Sequence, residues 1–186
     1  GVALATGGSV AAEPELFANR TPAGRQRALV KYAIGSGDDA YAATRRGLRW
    51  LQLTQNADGS WGNLRWYRPA VTGLVLLAYL GVGETPASVE FGDSFSAALD
   101  YLRRCLQEGS GIIRRRPEYA HPIVTMALAE TAALTQDREL LDQTVTAAKG
   151  IIAGQNSLGG FTYGYETGPD KETGKLRMDL SIGAWN

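Results

Sequence analysis

The stretch QNADGSWG, residues 55–62, decides the fold because the chain repeats it. One hundred residues further on, QNSLGGF at residues 155–161 keeps the Gln-Asn pair, one glycine and the final aromatic residue. A weaker copy lies between the two, with Gln107, Gly111 and Ile113 at the positions of the glutamine, the glycine and the aromatic residue. Successive copies are 52 and 48 residues apart, which indicates an internal repeat of about fifty residues.

We call residues 55–61, 107–113 and 155–161 corner one, corner two and corner three. Each corner follows a stretch with helical periodicity, and the first two also precede one. The stretches before the corners are residues 38–55, 94–107 and 138–155; those after them are residues 68–80 and 120–134, and a third begins at residue 180. No strand pattern competes, apart from short extended pieces. The sequence therefore predicts an all-α fold of helical hairpins stacked side by side.

A further helix is predicted ahead of the repeats. Thr21 is its N-cap, Pro22 is its first residue, and Gly35 ends it. Residues 1–20 are predicted to be a flexible N-terminal segment, and residues 21–186 a single repeat domain. The repeats within that domain span approximately residues 38–83, 92–136 and 138–186.

A structural role accounts for the corner motif. A helix ends with several carbonyl groups that lack partners, and the Gln55 amide can donate to such groups. Asp58-Gly59 provides a turn in which glycine takes a positive φ, and Trp61 covers the joint with a large apolar area. A motif that recurs at a regular interval is more often architecture than an active site. We therefore interpret these residues as structural: Gln55, Gly59, Trp61, Gln155, Gly159 and Phe161.

The corner also resembles a known motif. QNADGSW resembles the Gln-x-x-x-Gly-x-Trp motif of squalene–hopene cyclases, oxidosqualene cyclases and their prenyltransferase relatives. The segments YAHPIVTMALAETAALTQDREL, GQNSLGGFTYGY and DLSIGAWN are similar to the prenyltransferase/squalene-oxidase repeat proteins of bacteria. The resemblance covers about residues 39–186.

The resemblance implies an α/α toroid. In such a fold the outer helices run one way, the inner helices return, and the N-termini of the inner helices point into a central cavity. Toroids of this family contain about six hairpins, whereas this sequence holds about three. The resemblance thus implies an incomplete ring: a fragment, a processed piece, or a module completed by another chain.

The sequence lacks the catalytic motifs of these families. The cyclases protonate an alkene with an Asp-x-Asp-Asp run, but Asp38-Asp39 is the only adjacent aspartate pair here, and helix capping explains it. Cys105 and His121, the only cysteine and the only histidine, do not meet the zinc ligand set of protein prenyltransferases. A Gly-Cys-Gly-Glu-Gln thioester segment is also missing. We expect no catalytic residue, no metal ion and no cofactor.

A carbohydrate-active toroid is a separate possibility, because some helical toroids hydrolyse sugars with two carboxylates that face each other across a cavity. The candidate carboxylates are Glu118, Glu130 and Asp179. Asp179 occupies an N-cap position, which is a sufficient explanation for an aspartate there.

Ligand binding is assigned to the starts of the inner helices. The residues expected to face a cavity there are Tyr67, Arg68, Tyr119, His121, Asp179 and Trp185. Aromatic rings, a guanidinium, an imidazole and a carboxylate at one mouth suit a polar or aromatic small molecule or a peptide. Helix capping and packing between hairpins are the alternative for each of these residues.

Composition excludes some partners. Nineteen basic and nineteen acidic residues leave no net charge to attract nucleic acid, and the one basic cluster, residues 114–116, has no interleaved aromatic residues. No apolar run approaches the ~20 residues that span a bilayer. Residues 1–12 are small and could follow a removed signal or membrane segment, or be a cloning remnant. The sequence does not identify the compartment; an extracytoplasmic or membrane-associated location is favoured over a cytoplasmic one.

These observations favour a non-catalytic repeat module that serves as a scaffold or binding domain in a larger bacterial assembly. Its expected partners are another protein or the remainder of its own toroid, with a small-molecule ligand as a further possibility. Two alternatives stay open. One is a terpene cyclase or prenyltransferase whose catalytic half lies outside this chain; the other is the carbohydrate-active toroid.

Overall fold

The computed structural model describes residues 15–32, 37–114 and 116–186, and these residues form helices and loops without any strand. The α-helices are α1 (Pro22–Tyr32), α2 (Gly37–Leu53), α3 (Arg68–Gly81), α4 (Gly92–Glu108), α5 (Pro117–Thr135), α6 (Arg138–Ala153) and α7 (Leu180–Gly183). Short 3-10 helices cover Glu15–Arg20 and Tyr163–Tyr165. The predicted all-α fold is confirmed.

Helices α3 and α5 pack side by side, with α4 against α3 and α6 against α5. The close approach of α3 and α5 depends on Gly73, where an added Cβ would lie 3.0 Å from the Ile123 side chain. Corner one joins α2 to α3, corner two joins α4 to α5, and corner three follows α6. The helix–corner–helix order that the sequence predicts is therefore present.

The core is one cluster of buried side chains, mainly from α3, α4 and α5, with further residues from α2, α6 and the first two corners. Helix α4 turns one apolar face inwards at the three- and four-residue spacing of an amphipathic helix: Phe95, Ala98, Leu99, Leu102 and Leu106. The Tyr79 ring of α3 lies 6.2 Å from the Phe95 ring and 5.3 Å from the ring of Phe91, which precedes α4. Each buried side chain of this size contributes about 1.5–3 kcal/mol to folding.

Helix α5 begins at Pro117, about one turn earlier than predicted, and it contains Pro122 as an interior residue. Proline has no N–H to donate to the carbonyl four residues back, here that of Glu118. The Asn186 side chain compensates, because its Nδ2 donates to the Glu118 carbonyl oxygen at 3.1 Å. The proline is therefore tolerated inside the helix.

Helix α2 is held mainly by ion pairs. Arg45 pairs with Glu84 at 2.7 Å and also with Glu90, and Arg49 donates to Glu90 at 2.6 Å. Leu48 adds a buried apolar contact. Charged side chains thus tie α2 to the loop between α3 and α4.

The N-terminal region contacts the repeats. Thr21 caps α1 as predicted, since its hydroxyl accepts from the Gly24 N–H at 3.0 Å. Glu15–Arg20, which belongs to the segment expected to be flexible, forms a 3-10 helix, and Arg20 pairs with Glu130 of α5. Residues 1–14 and the predicted stop at Gly35 lie outside the described residues.

Candidate functional site

Corner one is a tight turn fixed by backbone and side-chain hydrogen bonds. The Asn56 N–H donates to the Ser60 carbonyl at 2.9 Å, and Gly59, with a φ of +90°, donates to the Asn56 carbonyl at 2.9 Å. The Gln55 amide donates to two carbonyls at 2.9 Å, one of Gly59 in its own turn and one of Ser94 in α4. Gln55 therefore joins the corner to the next hairpin.

Trp61 seals the same joint. The side chain is buried, and its indole Nε1 donates to the Leu51 carbonyl at the end of α2 at 2.7 Å. The Trp61 N–H in turn donates to the Thr72 hydroxyl of α3 at 3.1 Å. One residue thus caps α2, fills the core and anchors α3.

Corner three repeats the turn of corner one. The Asn156 N–H donates to Gly160 and the Gly159 N–H donates to Asn156, both at 2.9 Å, and Gly159 has a φ of +83°. Gln155 donates to the Gly159 carbonyl at 2.9 Å, and Phe161 is buried like Trp61. The second N–H of Gln155 has no partner among the described residues, whereas that of Gln55 reaches α4.

The corners also differ in what covers them. A Cβ on Gly59 would lie 2.2 Å from the Ala97 carbonyl oxygen of α4, and one on Gly111 would lie 3.0 Å from the Thr146 side chain of α6. A Cβ on Gly159 would meet only its own Gln155, at 3.9 Å. Leu158 at this corner is 65% exposed. Helix α4 lies over the glycine of corner one and α6 over that of corner two, whereas no helix lies over Gly159 of corner three, although Met178 lies against the neighbouring Gly160.

Two of the residues predicted to bind a ligand lie at the start of α3. Tyr67 is exposed and immediately precedes the helix. Arg68 is half-buried; its Nε donates to the Gly62 carbonyl at 3.0 Å, and its guanidinium pairs with the Asp58 carboxylate at 3.0 Å. Among the described residues, no hydrogen bond, ion pair or ring contact joins Tyr67 or Arg68 to the other four predicted residues.

A second group lies at the start of α7. The Tyr119 hydroxyl is 2.7 Å from the Ser181 hydroxyl, and its ring contacts the edge of Tyr163 at 6.3 Å. Asp179 caps α7 by accepting from the Ser181 and Ile182 N–H groups at 2.9 and 3.2 Å. The hydrogen bond from the Ser181 side chain is the largest cause that lowers the pKa of Asp179. Trp185 is partly exposed beyond α7.

His121 is not at a mouth, in contrast to the expectation. The side chain is fully buried; its Nδ1 accepts from the Ile113 N–H at 3.3 Å and its Nε2 lies 2.9 Å from the Ala147 carbonyl oxygen. The carbonyl can only accept, which assigns the proton to Nε2. Burial lowers the pKa of His121, so the ring is neutral and fully used in joining corner two to α6.

A cavity of about 420 Å³ lies between corner one and the C-terminal half of α4. Arg68 lines it, together with residues that the sequence reasoning missed: Arg65, Tyr101, Arg104, Cys105, Glu108 and Arg114. Four of them, at positions 101, 104, 105 and 108, have the spacing of one helix face. This spacing in the sequence could have predicted that they line one side of a cavity together. The other residues come from separate loops that only the fold brings together.

The carboxylates considered for sugar hydrolysis have structural partners. Glu118 is buried and accepts from the Gly164 N–H at 3.3 Å, Glu130 pairs with Arg20, and Asp179 caps α7. Within the described ranges, no group of three or more histidine, cysteine or acidic side chains is placed to hold a metal ion. In the same ranges, no helix has both the length and the apolar character needed to cross a membrane.

Comparison with known proteins does not identify a family. No protein-family model matches the chain, and no curated protein or solved structure shows significant similarity to it. Function therefore has to be inferred from the residues described above.

Proposed function

We propose that this chain is a non-catalytic α/α-toroid repeat module that serves as a scaffold or binding domain in a larger bacterial assembly. The observation that carries the proposal is the reuse of one joint. Gln55 and Gln155 make the same bond to the glycine of their turns at 2.9 Å, yet only Gln55 also reaches a neighbouring helix. This is the behaviour of an assembly element rather than of an active site.

Corner three is the binding surface in this proposal. It presents two features that α4 covers at corner one, an amide donor at Gln155 and an open glycine at Gly159. The occupant that fits is an α-helix with small residues on its contact face, as α4 has at Ser94 and Ala97. A partner protein or the remainder of the toroid supplies this helix.

The carboxylates support the non-catalytic assignment over the enzymatic alternatives. A general acid or nucleophile needs a carboxyl group that can reach substrate. Glu118, Glu130 and Asp179 are instead engaged in an internal hydrogen bond, an ion pair and a helix cap. Turnover of squalene or of a prenyl diphosphate by the purified chain, lost on replacement of one acidic residue, would overturn the assignment.

Helix binding at corner three can be measured directly. A fluorescent peptide with the sequence of residues 90–108, held helical by a side-chain staple, is titrated with the full chain, since an unconstrained peptide of this length is largely unfolded. We expect saturable binding in fluorescence anisotropy. Gln155→Ala should weaken it by about ten-fold, because it removes the amide that would donate to the docked helix as Gln55 donates to Ser94.

Gln107→Ala is the matched control, because Gln107 is an exposed glutamine at the same position of corner two, where α6 already lies over the turn. This variant should bind the peptide like the original chain. Circular dichroism of both variants checks that the helices are retained. Absence of saturable binding, or equal affinity in Gln155→Ala and Gln107→Ala, would contradict the docking surface.

A further inference from the structure

The cavity between corner one and α4 is electropositive, although the whole chain has no net charge. Its lining contains four guanidinium groups, those of Arg65, Arg68, Arg104 and Arg114, against the carboxylates of Asp58 and Glu108. Two positive charges therefore remain. Walls of low dielectric concentrate such a field in a cleft more than on an open surface.

One of the two carboxylates is already in use. Asp58 accepts from the Ser60 N–H at 3.0 Å and from the Ser60 hydroxyl at 2.6 Å, and it pairs with Arg68 at 3.0 Å. Burial opposes ionisation, but these hydrogen bonds and Arg68 outweigh it and lower the pKa of Asp58. The carboxylate is a fixed part of the wall.

Two of the arginines have no such role. Arg65 and Arg114 are both exposed and form no hydrogen bond or ion pair within the described part of the chain. Arg104 donates to the Asp58 backbone carbonyl at 2.8 Å, which leaves most of its N–H groups open. The planar fork of arginine matches the oxygens of a phosphate, which it can bind through two parallel hydrogen bonds.

The remaining wall is partly apolar. Tyr101, Ile113 and Pro69 line it beside the arginines. Burial and a hydrogen bond to Cys105 raise the pKa of Tyr101, so its hydroxyl keeps its proton and donates to the thiol. The volume of about 420 Å³ is within the range of small-molecule sites. The lining thus combines several donors for an anion with an aromatic ring and aliphatic surface.

We propose that this cavity is a binding site for a small phosphate monoester that carries an apolar group. The two unpaired guanidiniums, of Arg65 and Arg114, bind the dianionic phosphate together with Arg104, and the apolar group lies against Tyr101. The site lies between the first two repeats and does not include corner three. It therefore does not depend on helix docking there.

Cys105 provides the readout, because it is the only cysteine of the chain and it lines the cavity. The full chain is alkylated with a maleimide while phenyl phosphate is titrated, and the modified fraction is measured by mass spectrometry. We expect phenyl phosphate to slow alkylation in a saturable manner. Phenol and inorganic phosphate should protect Cys105 more weakly, because phenol lacks the phosphate that the arginines bind and inorganic phosphate lacks the ring that lies against Tyr101. Added salt should weaken the protection.

Arg65→Ala and Arg114→Ala test the residues themselves. Each should weaken phenyl phosphate binding by about ten-fold, as expected for the loss of a charge-assisted hydrogen bond. Both side chains are exposed and unpaired, so the fold should be retained. Arg46→Ala is the matched control, since Arg46 is an exposed arginine of α2 outside the cavity, and it should not change binding.

Three results would overturn the proposal: no protection of Cys105 by phenyl phosphate, equal protection by phenol, or equal effects of Arg46→Ala and Arg65→Ala. The peptide titration at corner three has a different reporter and different variants. Failure of one proposal is therefore distinguishable from failure of the other.

Discussion

At the scale of single residues, Gly59 and Gly159 have the same backbone conformation in different surroundings. Their φ angles are +90° and +83°, in the left-handed region that favours glycine. The Ala97 carbonyl of α4 lies against Gly59, while nothing outside its own corner approaches Gly159. The two glycines therefore separate the cost of backbone strain from the cost of contact with the next helix.

Replacing each glycine with alanine should reveal this difference. Gly159→Ala should cost about 1–2 kcal/mol of unfolding free energy, since only the left-handed conformation is penalised. Gly59→Ala should cost about 1–3 kcal/mol more, because its Cβ would also lie 2.2 Å from the Ala97 oxygen. Urea unfolding followed by circular dichroism gives both values. Equal losses would mean that α4 does not press on corner one.

His121 makes stability depend on pH. Burial lowers its pKa in the folded state below the ordinary value of about 6.5, so the unfolded chain binds the proton more readily. The buried neutral ring therefore makes its full contribution to the unfolding free energy above about pH 6.5. That contribution is lost as pH falls from about 6.5 through the lowered pKa, and the unfolding free energy changes by at most about 1.4 kcal/mol per pH unit.

Urea midpoints measured between about pH 5.5 and 7.5 check the sign and the source of this dependence. The chain has one histidine, so His121→Gln should remove the slope in this window even if the variant is less stable throughout. A slope that persists in His121→Gln, or stability that rises on acidification, would contradict the burial of a neutral ring.

At the scale of elements, α2 should be the helix that opens most easily of those in the repeats. It contacts the core through few apolar groups, and Arg45 and Arg49 connect it to Glu84 and Glu90. The Arg45 guanidinium also lies 4.8 Å from the centre of the Phe91 ring. Part-buried ion pairs of this type are worth more than exposed ones but are sensitive to salt.

Arg45→Ala should therefore loosen α2 without unfolding the other helices. We expect about 1–3 kcal/mol less protection of α2 amides in hydrogen exchange, because Glu84 and Glu90 lose their partner. Arg46→Ala, one residue along and exposed, should leave the exchange unchanged. Protection lost equally in α4 would show that α2 does not open as a separate unit.

The elements also show what the sequence can predict. Corner and helix positions follow from local patterns, so α3, α4 and α6 begin and end close to their predicted residues. The start of α5 was misplaced, because Pro122 looks like a helix start, and its interior position depends on Asn186, which is distant in sequence. Compensation by a distant side chain leaves no local signal.

At the scale of the whole molecule, helix packing decides which predicted residues meet. The stacking of hairpins follows from the repeat, but the candidate site residues were expected at one mouth and lie in separate places. His121 is in the core, Arg68 is at the cavity, and Tyr119 is beside α7. A helix start can face a cavity or the neighbouring hairpin, and the sequence of one hairpin does not distinguish the two. Closure of the helices into a toroid stays a prediction.

The glutamine joint gives the molecule a direction. Among the described residues, the Gln55 side chain bonds forward to α4, the first helix of the next hairpin, and to no helix that precedes its own hairpin. A protein that grows by duplicating such hairpins can gain units at the forward end while the interfaces already formed keep their geometry. Each added unit then contributes its own stability plus one interface, so a mutation at an interior joint should cost interface stability that the same mutation at the open joint does not.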